Sequence, residues 1–128
     1  MIKGARLSMM NFEKKSIISI DDLSKEEIIY ILKTAVKMEK NPRQDILKSK
    51  VMASLFFEPS TRTRLSFEAA MSQLGGSVIG FANSDVSSTK KGETLHDTIK
   101  MVEKYTDVIV MRHPLSGSAR VASETATI

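Results

Sequence analysis

Three short apolar runs along the chain predict β-strands. The first, VMASLFF at residues 51–57, shows no alternation of apolar and polar side chains, which is typical of a strand covered on both faces in a parallel sheet. SVIGF at residues 77–81 and DVIVM at residues 107–111 are the other two runs. We therefore expect at least three strands.

The helix predicted before the first strand has a well-formed start. In LSKEEI, Ser24 and Glu27 form a capping box, and Leu23 and Ile28 have the spacing of a hydrophobic staple. Asn41-Pro42 ends the pattern, because a residue that precedes proline is disfavoured in the helical conformation. The apolar residues that recur at helical spacing are Ile28, Ile31, Leu32, Ala35 and Met38.

Three further helices are predicted between and after the strands. The second ends at Gly75-Gly76, the third is capped by Thr94 and Asp97, and a last helical stretch covers about residues 118–124. The apolar faces of the second and third helices are expected to be Phe67, Ala70, Met71 and Leu74, and Leu95, Ile99 and Val102, respectively. Since strands alternate with helices, right-handed crossovers predict an α/β fold with an open parallel sheet flanked by helices.

Composition narrows the class of protein. At 128 residues and 41% hydrophobic content, one compact domain is expected. A net charge of +4 favours anionic partners but is too mild and dispersed for nucleic acid. The absence of cysteine and the presence of only two histidines make a metal site or cofactor unexpected. No segment has the pattern of a signal peptide or a membrane span, so we expect a cytoplasmic location; a weak organelle-targeting segment is the alternative.

The end of the sequence suggests an interrupted domain. Ile128 follows a helix in TATI, where the alternation of strands and helices would be entering its next strand. We therefore expect the chain to be cut before a further part of the fold.

The stretch EPSTRTRLSFEAA carries the most distinctive chemistry. Residues 60–64, Ser-Thr-Arg-Thr-Arg, lie where a buried strand ends and a helix begins. In open α/β sheets ligands bind at such strand ends, and a helix N-terminus with hydroxyls and a guanidinium suits phosphate. The phosphate-loop pattern of nucleotide-binding proteins is missing, so the ligand need not be a nucleotide. The alternative is that Ser60 or Thr61 merely caps a surface helix with solvated arginines.

Three segments resemble the carbamoyl-phosphate domain of aspartate carbamoyltransferase: FFEPSTRTRLSFEAAMSQLGG, SSTKKGETLHDTI and VMRHP, in the family's order. The Ser-Thr-Arg-Thr-Arg run is shared by carbamoyltransferases generally, whereas Lys-Lys-Gly-Glu-Thr and Arg-His-Pro favour the aspartate enzyme over the ornithine one. The resemblance covers about residues 20–128. It implies an N-terminal extension at residues 1–16 and a carbamoyl-phosphate-binding domain at residues 17–128, incomplete at its C-terminal end.

The resemblance also implies roles for individual residues. Ser60, Thr61, Arg62 and Thr63 would bind the phosphate group, and Thr63 would also reach the carbonyl oxygen. Arg112 would bridge the phosphate, the carbonyl and the incoming substrate. Thr63, Arg112 and Arg62 are therefore the expected catalytic residues.

Two residues of the polar loop imply an oligomer. Ser87 and Lys91 resemble family residues that enter the active site of a neighbouring subunit, which implies a homotrimer with shared sites. Without the resemblance, a pair of lysines is more often a solvated loop. Glu58 matches a residue that links the two domains when the enzyme closes, although it could equally pair with Arg64. His96 and His113 are expected to be structural or exposed.

The implied reaction transfers the carbamoyl group of carbamoyl phosphate to the amine of L-aspartate, giving N-carbamoyl-L-aspartate and phosphate in pyrimidine biosynthesis. Direct attack of the amine would need neither a metal nor a covalent enzyme intermediate. The family's His-Pro-x-x-Gln segment and aspartate-binding domain are expected after Ile128, so this chain alone is predicted to be inactive.

The alternatives are another carbamoyltransferase, such as the ornithine enzyme, and a noncatalytic phosphometabolite-binding module. Regulatory partner chains are possible, and the sequence does not reveal them.

Overall fold

The computed structural model describes residues 10–82 and 92–128. The predicted site residues Ser87 and Lys91 therefore lie outside the described residues. The chain divides into two compact units, Met1–Lys40 and Asn41–Ile128. In the described residues, no helix is long and apolar enough to cross a membrane.

The first unit contains helix α1, Lys25–Lys40, which a short 3-10 turn at Ile20–Asp22 precedes. The predicted capping box is confirmed: the Ser24 amide donates to Glu27 Oε2 at 2.8 Å, and the Glu27 amide donates to Ser24 Oγ at 3.2 Å. The predicted helix end at Asn41-Pro42 also agrees with the observed one. However, none of the described residues of α1 is buried, and the Leu32 side chain is 62% exposed. Of the predicted apolar face, Ile31, Leu32 and Ala35 are exposed and only Ile28 and Met38 are half-buried, so its burial stays a prediction.

The second unit is built on a parallel sheet whose described strands are β1 (Val51–Phe56), β2 (Ser77–Phe81) and β3 (Val108–Arg112). Their order is β2-β1-β3, so β1 is central. Ser54 pairs with Gly80 of β2 and Val110 of β3. The predicted open parallel sheet is confirmed, and the apolar character of VMASLFF reflects the buried central position of β1.

Helices cover both faces of this sheet: α2 (Arg62–Gln73), α3 (Leu95–Val102) and α4 (Ser118–Thr125). The alternate residues Ala53, Leu55 and Phe57 pack in one core cluster with residues of α3 and α4. The opposite face of β1 carries Met52, Ser54 and Phe56, and Ser54 contacts α2. Residues 58–61 therefore lead from the sheet to the α2 face.

Local signals at the helix ends are confirmed. The Asp97 amide donates to Thr94 Oγ1 at 3.1 Å, which caps α3. At the end of α2, Gly75 has φ of +86°, and the Gly76 amide donates to the Met71 carbonyl at 3.0 Å. This pair of glycines closes the helix with the left-handed turn that the sequence predicted.

The predicted buried face of α2 is partly wrong. Met71 is buried and Leu74 is half-buried, but Phe67 is 45% exposed and Ala70 is exposed as well. The helix instead directs Glu68 to the sheet, where its carboxylate accepts a hydrogen bond from Ser54 Oγ at 2.9 Å. A polar contact with the strand thus lies on the sheet-facing side of α2, and apolar periodicity carries no information about such a contact.

A buried carboxylate holds the chain that follows α4. The Glu103 side chain is 2% exposed, and its Oε2 accepts hydrogen bonds from the Thr127 amide at 2.7 Å and from Thr127 Oγ1 at 3.1 Å. Lys100 Nζ donates to the other carboxylate oxygen at 3.2 Å. The Thr127 amide and Lys100 together lower the pKa of Glu103 to about 2.

We expect Glu103→Gln to lower the thermal midpoint at pH 7 by about 5 °C, because the ionised carboxylate accepts stronger hydrogen bonds than an amide does. The pKa of Glu103 is lower in the folded chain than in the unfolded one, so this stabilisation is complete above about pH 4.5 and is lost as pH falls towards 2. Thermal melts between pH 7 and pH 3 measure the difference, with the exposed Glu124→Gln as the matched control. A difference that did not shrink at low pH would contradict this account of Glu103.

Candidate anion-binding site

The order of the strands creates a crevice at the carboxyl edge of the sheet. From β1 the chain passes through α2 to β2, and it then crosses to β3 on the other side of β1. The segments that follow β1 and β3 lead to α2 and α4, which lie on opposite faces. Such a divergence between neighbouring parallel strands is the usual ligand position in open α/β sheets.

The side chains of Arg112, Ser60 and Glu58 meet at this crevice. Phe56 and Arg112 are partners across β1 and β3, and the Phe57 amide donates to the Arg112 carbonyl at 2.9 Å. The Arg112 side chain donates through Nη1 to Ser60 Oγ at 3.2 Å and through Nε to the Glu58 carboxylate. Because the Arg112 side chain remains 47% exposed, its guanidinium is accessible from solvent.

The N-terminus of α2 begins directly beside this cluster. Its N-cap residue is Thr61, whose hydroxyl makes no capping hydrogen bond among the described residues. The first turn contains Arg62, Thr63 and Arg64, of which Arg62 and Thr63 are exposed, and no acidic residue. A cation in a first turn opposes the helix dipole and destabilises a helix by about 0.3–1 kcal/mol. A bound anion at this turn would offset that opposition. Of the predicted alternative, the Thr61 cap is not seen among the described residues, whereas Arg62 is exposed to solvent as that alternative expects.

Two carboxylates near the site pair with different arginines: Glu68 with Arg64, and Glu58 with Arg112. Arg64 Nη1 lies 3.3 Å and 3.5 Å from the two carboxylate oxygens of Glu68, one turn further along α2. Glu58 pairs with Arg112, so the alternative pairing of Glu58 with Arg64 is wrong. An anion that binds Arg112 therefore competes with the Glu58 carboxylate.

The histidines have structural surroundings. His113 Nδ1 accepts a hydrogen bond from the Leu115 amide at 3.1 Å and lies 2.9 Å from Ser118 Oγ. The His113 ring packs against Phe57 with ring centroids 4.8 Å apart. His96 is largely exposed and lies 3.5 Å from the Asp97 carboxylate.

Ser54 and Glu68 contact each other, and Glu68 also contacts Arg64 of the first turn of α2. Neither residue was predicted from the sequence to belong to the site. The only sequence signals are a single hydroxyl in an apolar strand and a glutamate four residues after Arg64. Both signals are common in proteins without a ligand. Within residues 10–82 and 92–128, no group of three or more His, Cys, Asp or Glu side chains could hold a metal ion.

The fold and this site define an open parallel α/β protein with a cationic crevice at the carboxyl edge of its sheet. A family model described as the carbamoyl-P binding domain of aspartate/ornithine carbamoyltransferase matches residues 15–128. The chain belongs to this carbamoyltransferase family.

Individual relatives agree with the family match. The aspartate carbamoyltransferase catalytic subunit of Parabacteroides distasonis is 57% identical over 116 residues, which is 91% of this chain and 38% of that protein. The crystallised catalytic subunit of M. jannaschii aspartate transcarbamoylase is 50% identical with a TM-score of 0.81, covering 89% of this chain and 39% of that one. The Trypanosoma cruzi enzyme, crystallised with carbamoyl phosphate and aspartate, is 41% identical with a TM-score of 0.81 and the same coverage of both chains.

These comparisons confirm the resemblance to the aspartate carbamoyltransferase catalytic subunit and the α/β fold expected from it. The chain spans about two fifths of the length of the relatives that it matches, 38% and 39% in the proteins named above. The matched region is the part of the family described as binding carbamoyl phosphate.

Proposed function

We propose that this chain forms the carbamoyl-phosphate-binding part of an aspartate carbamoyltransferase. The observation that carries the proposal is the cationic first turn of α2 beside Arg112, with an N-cap hydroxyl that makes no capping bond to any residue the structure describes. The aspartate acceptor is favoured over ornithine because the relatives named above are aspartate enzymes. Residues 17–128 are the proposed domain, residues 1–16 the proposed extension, and the cytoplasm the proposed location.

The phosphate group is proposed to bind at residues 60–63. Backbone amides at the start of α2, the hydroxyls of Ser60, Thr61 and Thr63, and the Arg62 guanidinium supply donors of the type that phosphate needs. Arg112 reaches the same place from β3, since it already contacts Ser60. Carbamoyl phosphate would replace Glu58 as the anionic partner of Arg112.

The proposed chemistry is a direct acyl transfer. The deprotonated amine of L-aspartate attacks the carbonyl carbon, and the carbonyl oxygen becomes an oxyanion. The oxyanion then re-forms the carbonyl, the C–O bond to phosphate breaks, and the nitrogen passes its extra proton to an oxygen of the departing phosphate. Thr63 and Arg112 would donate to the developing oxyanion, while Arg62 would stabilise the departing phosphate. Fixed donors of this kind act most strongly on charge that develops in the transition state.

The complete active site is proposed to include a neighbouring subunit. Ser87 and Lys91 would enter the site of the next chain in a homotrimer, as the family resemblance implies. Their loop lies outside the described residues, so this proposal depends on sequence alone.

We expect the 128-residue chain to bind carbamoyl phosphate or inorganic phosphate weakly in a calorimetric titration, because the residues proposed to hold the phosphate group are all present. Affinity should fall as salt is added, since the proposed site is exposed to solvent. The same preparation, supplied with L-aspartate, is expected to form no carbamoyl aspartate. Absence of carbamoyl phosphate binding by the folded chain would contradict the proposed function, and product formation would contradict the proposed division of the active site.

A further inference from the structure

A chain of hydrogen bonds joins the central strand to the first turn of α2. Ser54 Oγ donates to Glu68 Oε1 at 2.9 Å, and Arg64 Nη1 donates to the same oxygen at 3.3 Å. We call these three residues, Ser54, Glu68 and Arg64, the α2 anchor. It lies between β1 and α2, and its member Arg64 belongs to the same first turn of α2 as Arg62 and Thr63.

Ser54 is an exception in its strand. It is 1% exposed, and its neighbours along β1 are the buried apolar residues Ala53 and Leu55. A buried hydroxyl without a partner is unfavourable, so Ser54 depends on the Glu68 carboxylate. That bond is charge-assisted and directional, whereas the hydrophobic effect that packs the apolar residues is not directional. The α2 anchor therefore fixes how α2 lies on the sheet.

Helix stability alone does not account for Arg64 and Glu68. Arg64 lies in the first turn, where a cation opposes the helix dipole. A basic residue four positions before an acidic one is also the weaker orientation for such a pair. The pair instead links Arg64, which is next to Thr63, to the Glu68 carboxylate. Ser54 holds that carboxylate in place.

We propose that Ser54 and Glu68 are positioning residues for the phosphate site: through Arg64 and the axis of α2 they set where the donors of residues 60–63 lie. They do not contact the anion themselves. This inference rests on the proposed function, because it concerns the geometry of that same site.

The test is a double-mutant cycle read out as affinity for inorganic phosphate. The 128-residue chain and its Ser54→Ala, Glu68→Gln and doubly substituted variants are titrated by calorimetry at a temperature where circular dichroism shows each to be folded. We expect each single substitution to weaken phosphate binding by about fivefold or more. The double variant should bind no more weakly than the weaker single variant, because both changes break the same chain of bonds.

Glu103→Gln is the matched control. It also removes a carboxylate that accepts a hydroxyl hydrogen bond, but that carboxylate holds Thr127 rather than α2. It should lower the thermal midpoint and leave phosphate affinity within about twofold of the unsubstituted chain. A loss of affinity that merely followed loss of stability would affect this control as well.

Each outcome decides the question. Folded variants that bind phosphate as tightly as the unsubstituted chain would overturn the positioning role, and so would an equal loss in Glu103→Gln. If Ser54→Ala does not fold, Glu68→Gln alone decides, since its side chain is 27% exposed and its volume is unchanged. If the unsubstituted folded chain binds neither phosphate nor carbamoyl phosphate, the proposed function fails and this inference fails with it. If the unsubstituted chain binds phosphate and the variants bind it equally well, the positioning role of the α2 anchor is rejected and the proposed function stands.

Discussion

Replacing Arg62 by alanine is expected to lower carbamoyl transfer by at least about a hundredfold. Turnover is measured in a chimera in which the matching 116 residues of the Parabacteroides distasonis relative are replaced by those of this chain. Arg62 lies in a first turn that contains no acidic residue, and its proposed role is to stabilise negative charge on the departing phosphate. Loss of one such donor from a site that stabilises a transition state typically costs a factor of about a hundred or more.

Two variants make this prediction specific. Arg62→Lys keeps the charge but loses the planar pair of donors, so its turnover should fall between those of the unsubstituted chimera and Arg62→Ala. Arg43→Ala removes an exposed arginine that precedes β1 and should leave turnover nearly unchanged. Near-normal turnover in Arg62→Ala would show that α2 does not hold the phosphate through this residue.

The second large effect is expected from mixing two inactive chimeras. Lys91→Gln and Arg62→Ala subunits are each predicted to form almost inactive trimers. If Lys91 crosses to a neighbouring site, a mixed trimer contains one interface in which Arg62 and Lys91 are both intact. Activity should then approach about a third of the unsubstituted trimer, since a cyclic trimer has three equivalent interfaces.

The mixed trimers are formed by dissociation and reassociation and are verified by native mass spectrometry before the assay. Mixing two preparations of the same variant is the control and should give no recovery. If verified mixed trimers are no more active than the parents, Lys91 acts within its own chain or is a solvated loop residue.

The parts of the fold that local chemistry determines could be predicted from the sequence. The capping box at Ser24 and Glu27, the Thr94 cap and the glycine stop after α2 all depend on residues within one turn of each other. The continuous apolar character of β1 likewise follows from its burial on both faces. Sequence periodicity was wrong for part of α2: Phe67 and Ala70 are exposed, and Glu68 contacts Ser54, 14 residues away in the sequence.

The candidate site could be predicted only in part, because it depends on contacts between residues that are far apart in the sequence. The position of residues 60–63 at a strand end is visible in the sequence, but their proximity to Arg112 depends on β3 lying next to β1. The pairing of Glu58 with Arg112 rather than with Arg64 depends on the same adjacency. The roles of Ser87 and Lys91 stay predictions, since they lie outside the described residues.

The most direct test of the proposed phosphate site is a nuclear magnetic resonance titration of the isotope-labelled chain with carbamoyl phosphate. We predict that the largest saturable shifts occur at the backbone amides of residues 60–63 and at the Arg112 Nε–H, as this group exchanges Glu58 for the phosphate. Saturable shifts confined to other parts of the chain, such as α1, or no shifts at all in the folded chain, would contradict the account.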